Sequence, residues 1–332
     1  FGKFRGGTGT ENVTMIYGSN DITLNHLGSA KRVPENQGLF GGYPGCASYF
    51  DWMVDTNIAE IIARKGEIPA AGKLLTDTLK GDYRTGPLGV TSGAEKVKTG
   101  DITHSTTQSG GGGLGDPIER APALIVKDIV NKVATLEVAQ KVYAVAIDPQ
   151  TLKVDDEKTR KLRAERRKER LAQGTPGIKY LKKLVKVREE RQLSAAALGL
   201  LDETRKFCPA FEKELAREKE IVARGLKPIG KARVHQKLFS LTPYVDIVTD
   251  ETGRKLAVCS QCGFAYCEAH DNFKYYCLIY ERDPSYFHMG RLAYDKDWCT
   301  FREFYCPSCA SQIEVEAVAP GTPILNDYEL KL

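Results

Sequence analysis

Short alternations of apolar and polar residues dominate the first third of the chain. Asn12-Val13-Thr14-Met15-Ile16-Tyr17 and Asp21-Ile22-Thr23-Leu24 carry the two-residue period of half-buried strands, with Gly18-Ser19-Asn20 between them, and this pattern predicts a hairpin. Leu39-Phe40-Gly41-Gly42-Tyr43-Pro44-Gly45 predicts a loop, whereas residues 59–66 fit either one helical turn or a strand. The period changes at Asp116. Asp116 suits a helix N-cap, Pro117 the first helical position and Glu119 the acidic third residue of a capping box, so a short helix is expected there. Pro122 restarts a longer helix with Leu124, Ile125, Ile129, Val130 and Val133 at helical spacing, and Thr135 opens the next through Val138, Ala139 and Val142. An extended stretch, 143–147, then leads to an Asp148-Pro149 turn. Between 155 and 224 the residues are Arg, Lys, Glu, Ala and Leu, interrupted at Gly174-Thr175-Pro176-Gly177 and near Cys208-Pro209, which predicts two or three helices. Short strands return around 244–248 and 256–258.

These elements predict an α+β protein: a β-rich N-terminal region (1–154), a basic helical linker arm (155–225) and a small C-terminal β domain (226–332). The length of 332 residues fits two or three units better than one. With 42% hydrophobic and 27% charged residues, the composition excludes a disordered, collagen-like or coiled-coil chain. No apolar run reaches the roughly 18 residues of a membrane helix, so no membrane is expected. Phe1 opens the sequence without an initiator Met or a signal core, and the expectation is a processed, split or partial chain.

Charge is unevenly placed. The net charge is +5, yet residues 158–191 hold fourteen Lys/Arg against four Asp/Glu, a local +10 that leaves the remainder at −5. Such a run suits nucleic acid, an acidic lipid surface, solvent or an acidic neighbouring subunit. Only Tyr180 is available for base stacking within it, and nucleic acid is therefore not expected as a partner.

Seven of the nine cysteines fall after residue 258. An odd total, two Cys-x-x-Cys pairs and no secretory signal favour a metal site in a reducing compartment, hence a cytoplasmic location, over a disulfide framework. Cys259-Ser260-Gln261-Cys262-Gly263 and Cys306-Pro307-Ser308-Cys309 form two knuckles, and four thiolates at this spacing suit a structural, zinc-ribbon-like zinc site. Gly263 permits the backbone turn beneath the metal. Cys267, followed by Glu268-Ala269-His270, is an alternative ligand that could stand in for Cys259. Cys277 and Cys299, flanked by aromatic residues, fit core packing. Gly110-Gly111-Gly112-Gly113 before Asp116 invites a phosphate-loop reading, but the Gly-Lys-Ser/Thr ending is missing and a close-packed turn is expected instead. The histidines His26, His104, His235, His270 and His288 are scattered, and no catalytic constellation is legible.

Arg5-Gly6-Gly7-Thr8-Gly9, the 38–45 segment and Gly110 through Arg120, continued by Val142-Tyr143-Ala144-Val145 and Asp148-Pro149-Gln150-Thr151-Leu152, resemble the C-terminal portion of the hydantoinase B family over roughly residues 1–171. From about residue 227, Pro228-Ile229-Gly230, Cys262-Gly263, Cys267, Asp271-Asn272-Phe273-Lys274 and Arg302-Glu303-Phe304-Tyr305-Cys306-Pro307-Ser308-Cys309 resemble the acetone carboxylase gamma subunit. So do Val315-Glu316-Ala317 and Pro323-Ile324. The family member in view has a cysteine two residues before Cys-Gly, where this chain has Ser260, so the choice between Cys259 and Cys267 stays open.

Together the resemblances imply a subunit of a biotin-independent, ATP-dependent ketone carboxylase, a carbon–carbon ligase that joins a ketone and bicarbonate into a β-keto acid. They imply a hetero-oligomer with hydantoinase-A-like ATP-binding subunits and the rest of a hydantoinase-B-like subunit, with Mg-ATP on the partner. A catalytic metal, if present, would lie upstream or on a partner, and this chain would be mainly structural. An ATP-dependent hydantoinase or oxoprolinase component is the alternative, followed by a nucleic-acid-binding zinc ribbon.

Overall fold

The alternating segments become strands, but they do not pair with each other. In the computed structural model, which describes residues 1–25, 33–70, 73–85, 95–108, 110–288 and 292–330, β1 (Thr10–Met15) lies antiparallel to β6 (Ile102–Gln108). Likewise β2 (Ile22–Leu24) lies antiparallel to β5 (Glu95–Val97). The expected hairpin is thus replaced by a ribbon in which 10–24 runs beside 95–108. Gly18, at φ 73°, bends the ribbon instead of reversing it, and the amide of Thr99 donates to Ser19 O across the bend at 2.7 Å. Polar alternation specifies a strand's face but not its partner, which is why the local reading failed here.

β3 (Phe50–Val54) and β4 (Asp82–Thr85) complete a four-stranded sheet in the order β1-β6-β3-β4. Every residue of β3 is buried, because both of its faces are covered. Met53 packs with Ile58, Ile61, Leu75, Leu79 and Ile102, while Phe50, Trp52 and Val54 pack with Val97. The ambiguous 59–66 segment is helical: Ile58 and Ile61 of α1 (Ile58–Ala63) supply the buried face.

Glycines set the next layer. Segments 1–4, 39–43 and 113–115 lie side by side, with Phe4 N–H donating to Leu114 O (2.9 Å), Leu39 N–H to Gly113 O (2.9 Å) and Tyr43 N–H to Phe1 O (2.7 Å). A Cβ at Gly42 would overlap the carbonyl of Gly113, and one at Gly113 the carbonyl of Phe1. The cluster is close packing, and the amides of Gly111, Gly113 and Gly115 are spent on Gly7, Tyr43 and Leu39 carbonyls and are not free to cradle a phosphate.

Asp116 does cap, through its side chain accepting from Ile118 N, but the element is a single 3-10 turn (Pro117–Glu119). The expected capping box does not close, because Glu119 instead accepts from the Tyr244 hydroxyl at 3.0 Å. α2 (Pro122–Val130) and α3 (Leu136–Lys141, capped by Thr135) follow as expected.

Four helices, not two or three, occupy 156–224: α4 (Asp156–Gln173), α5 (Gly177–Glu189), α6 (Ala195–Phe207) and α7 (Pro209–Arg224). The break missed in the sequence is at Arg191, which adopts φ 52°, and Ser194, whose hydroxyl caps α6. The segment read as an arm is built into the C-terminal core. Tyr180, Leu181, Leu184 and Ile221 pack with Ile247, Tyr266, Phe273 and Phe304. A two-residue strand, β7 (Thr175–Pro176), joins the sheet β14-β13-β12-β7, in which β12 is Leu278–Arg282, β13 Thr300–Tyr305 and β14 Gln312–Val318. A second antiparallel sheet has the order β11-β10-β9-β8, from β8 (Val234–Thr242), β9 (Val245–Asp250), β10 (Lys255–Cys259) and β11 (Ala265–Glu268). Among the described residues no helix is long and apolar enough to cross a membrane.

Candidate metal centre

Each sheet of the C-terminal region delivers one knuckle. β10 ends on Cys259, and the chain turns through Cys262 and Gly263 into β11; β13 ends one residue before Cys306, and the chain turns through Cys309 and Ala310 into β14. The two turns share one geometry. Gly263 N–H donates to Cys259 O (2.8 Å) with φ 74°, and Ala310 N–H donates to Cys306 O (3.0 Å) with φ 59°. Gly263 is a glycine for its backbone conformation, since a Cβ there would meet nothing. Ala310 does the same task with a side chain, a role no sequence signal marks.

The four sulfurs converge. Cys259 Sγ lies 3.8 Å from Cys309 Sγ, and Cys262 Sγ 3.7 Å from Cys306 Sγ; all four ligand atoms fall within 4.8 Å of one another. A tetrahedral ion with metal–sulfur bonds of about 2.3 Å requires sulfur–sulfur edges of about 3.8 Å. The four thiols could therefore hold a metal ion with little movement. Hydrogen bonds from Cys259 and then Cys306 hold the Cys309 thiol well below its ordinary value, whereas bonds to Cys259 and Cys309 push Cys306 up. The Ser311 hydroxyl lies 3.2 Å from Cys309 Sγ. It was not anticipated from the sequence, because a serine two residues after a cysteine is unremarkable.

Cys267 stands outside the cluster. Its thiol donates to Asp271 O at 3.8 Å, and burial pushes it up. His270 is exposed, 3.6 Å from Glu268. Cys277 and Cys299 are buried and donate to Phe273 O and Thr300 O. His26 lies outside the described residues, and the remaining histidines stay apart. His104 is buried beside Tyr49 and Glu11, His235 is on the exposed strand β8, and His288 stacks on Phe1, with burial lowering its pKa to about 4.

A buried polar joint ties the cysteine turns to the glycine layer. Arg170 donates to both oxygens of Asp116 (2.6 and 2.8 Å) and to Ala310 O (3.1 Å). Gln312 N–H donates to Asp116 Oδ2 (3.1 Å), and its side-chain amide donates to Gly41 O (2.6 Å). On the other turn, Ser260 N–H donates to Tyr244 O (3.0 Å), and the Tyr244 hydroxyl accepts from Asp116 N–H (2.9 Å). None of these long-range partners was recognised from the sequence.

Two paired knuckles at a sheet-to-sheet seam define the class of this region, a sheet-rich region with a four-cysteine cluster that could hold a metal ion. More particularly, residues 235–332 match the acetone carboxylase gamma subunit family. Over 190 residues the chain is 30% identical to the acetone carboxylase alpha subunit of Xanthobacter autotrophicus, a match covering 54% of this chain and 24% of that one. It is also 38% identical over 80 residues to the acetophenone carboxylase beta subunit of Aromatoleum aromaticum, covering 22% of this chain and 62% of that one. A nucleotide-free structure of acetone carboxylase, described as carrying out ATP-dependent acetone carboxylation, matches with 28% identity and a TM-score of 0.49, over 56% of this chain and 25% of that one. These relationships are to ketone carboxylase subunits. The chain spans about a quarter of the alpha subunit.

Proposed function

We propose that this chain works as a subunit of a biotin-independent, ATP-dependent complex that joins a ketone and bicarbonate into a β-keto acid. The observation that carries this reading is a conjunction: similarity to a large carboxylase subunit and to the small gamma subunit meet in one chain. Its partners are ATP-binding subunits of the hydantoinase-A kind and further hydantoinase-B-like sequence. ATP activation would belong to those partners.

Within this chain, Cys259, Cys262, Cys306 and Cys309 would hold zinc. A zinc ion bound by four thiolates has no open position for water or substrate, so it would cross-link the two sheets and perform no reaction. The ion then acts as scaffold, keeping Ala310, Gln312 and Tyr244 in place against Asp116 and the glycine layer.

Purification of the native chain should bring down larger ATPase-like subunits, and the assembly should hydrolyse ATP only when ketone and bicarbonate are both supplied. The chain should contain about one zinc, lost in Cys306→Ser. A solitary, monodisperse chain, or an assembly that opens cyclic amides instead, would overturn the carboxylase reading.

A further inference from the structure

Tyr266 on β11 is fully buried. Its ring is held edge-on against Phe264, centroids 5.6 Å apart, and tilted against Phe273 at 6.2 Å, so the hydroxyl cannot swing out to water. That hydroxyl makes no hydrogen bond of full geometry among the described residues; of the thiols around it, Cys277, Cys306 and Cys259, only Cys306 contributes a side-chain hydrogen bond to it. An orphaned buried O–H costs roughly 1–3 kcal/mol, and such a group calls for an explanation, an ion included.

The acceptor is identified by chemistry. Cys277 keeps its proton, with burial pushing its thiol up, and spends it on Phe273 O at 3.5 Å; a neutral thiol is a weak acceptor. Cys306 belongs to the four-sulfur cluster, and metal binding requires its thiolate, which is a strong acceptor. Among the other sulfurs, Cys309 already has the Ser311 hydroxyl beside it.

We propose that Tyr266 is a positioning residue of the metal centre, its hydroxyl donating to the metal-bound Cys306 thiolate and orienting that ligand. The role rests on the metal reading above. It extends the site beyond its four ligands to an outer contact of the kind whose loss typically weakens metal affinity 10–100-fold.

The test compares the full-length wild type with Tyr266→Phe, which keeps the ring and removes only the hydroxyl. Zinc affinity, measured by competition with a chelator, should fall 10–100-fold in the variant. In the cobalt-substituted protein the sulfur-to-cobalt charge-transfer band should move to longer wavelength, because a thiolate without its hydrogen bond is a better electron donor. The chelator-stripped variant should melt close to stripped wild type, since without metal it loses only the hydroxyl's contact with a neutral Cys306 thiol, a weak acceptor. Zinc affinity within twofold of wild type with an unmoved cobalt band would reduce Tyr266 to a packing ring. A stripped variant that melts well below stripped wild type would show that the hydroxyl already has a partner without metal. A wild type that binds neither metal would overturn this inference and the zinc reading together.

Discussion

Glu314 lies on β14 beside Lys274, Glu316, Asp327 and Tyr328, and burial raises its carboxyl from the ordinary 4.5 to about 7. The folded state therefore holds a proton that the unfolded chain releases. Below pH 4.5 both states are protonated and stability is complete; as pH rises from 4.5 to 7 stability declines, and above 7 the loss is constant. Glu314→Gln should flatten that slope and stabilise the protein by about 1–3 kcal/mol at pH 8. Melting temperatures of both proteins from pH 4 to 8 check it, and parallel curves would show that Glu314 ionises freely. Nothing in Gln312-Ile313-Glu314 marks this carboxylate as half-buried, since alternation alone puts it on either face. The two Cys-x-x-Cys knuckles were legible for the opposite reason: two intervening residues fix the relative aim of two sulfurs within one turn. The choice between Cys259 and Cys267 was not, because it depends on the strand order β11-β10-β9.

Among elements, the glycine-lined segments have the least room. Gly42→Ala would drive a methyl into the carbonyl of Gly113, and neither neighbour is a side chain that can rotate away. The substitution should destabilise by about 3 kcal/mol, at the upper end for overpacking, whereas Gly199→Ala, on the exposed side of α6 with nothing near its Cβ, should stabilise by about 0.5–1 kcal/mol. Denaturant unfolding of both variants is the measurement, and equal effects would contradict the packing account. Helices were legible where a local cap announced them, as at Thr135, or where composition did, as over 155–224, where the cap on Asp155 went unread. Asp116 also caps, but its neighbour Glu119 is drawn off by Tyr244, more than a hundred residues away, and the expected helix stops at one turn. The hairpin error has the same origin: β1 and β2 satisfy their edges with β6 and β5, which local patterning cannot name.

At the scale of the whole molecule, the Asp116–Arg170 pair joins the glycine layer, α4 and the second cysteine turn, and both side chains are buried. Arg170→Met should cost about 3–5 kcal/mol by stranding the Asp116 carboxylate, and adding Asp116→Asn should recover a large part of that loss. A double-mutant cycle by denaturant unfolding measures the coupling; simple additivity would mean that the joint is hydrated. Native-state hydrogen exchange offers a structural reading of the same coupling, since weakening should appear at Gln312 and across the glycine layer together. Local physics made much of this protein legible in its sequence: the α+β composition, the basic helices of 155–224, the glycine cluster and the two Cys-x-x-Cys pairs all follow from periodicity, propensity and short spacing. Tertiary structure alone decided which strands pair, that the helical segment enters the C-terminal core, that Cys267 stands outside the sulfur cluster, and that Tyr266, Gln312 and Arg170 surround it. Those outcomes depend on burial and hydrogen-bond partners drawn from distant residues, and their free energies exist only once the backbone brings such groups within a few ångströms of each other.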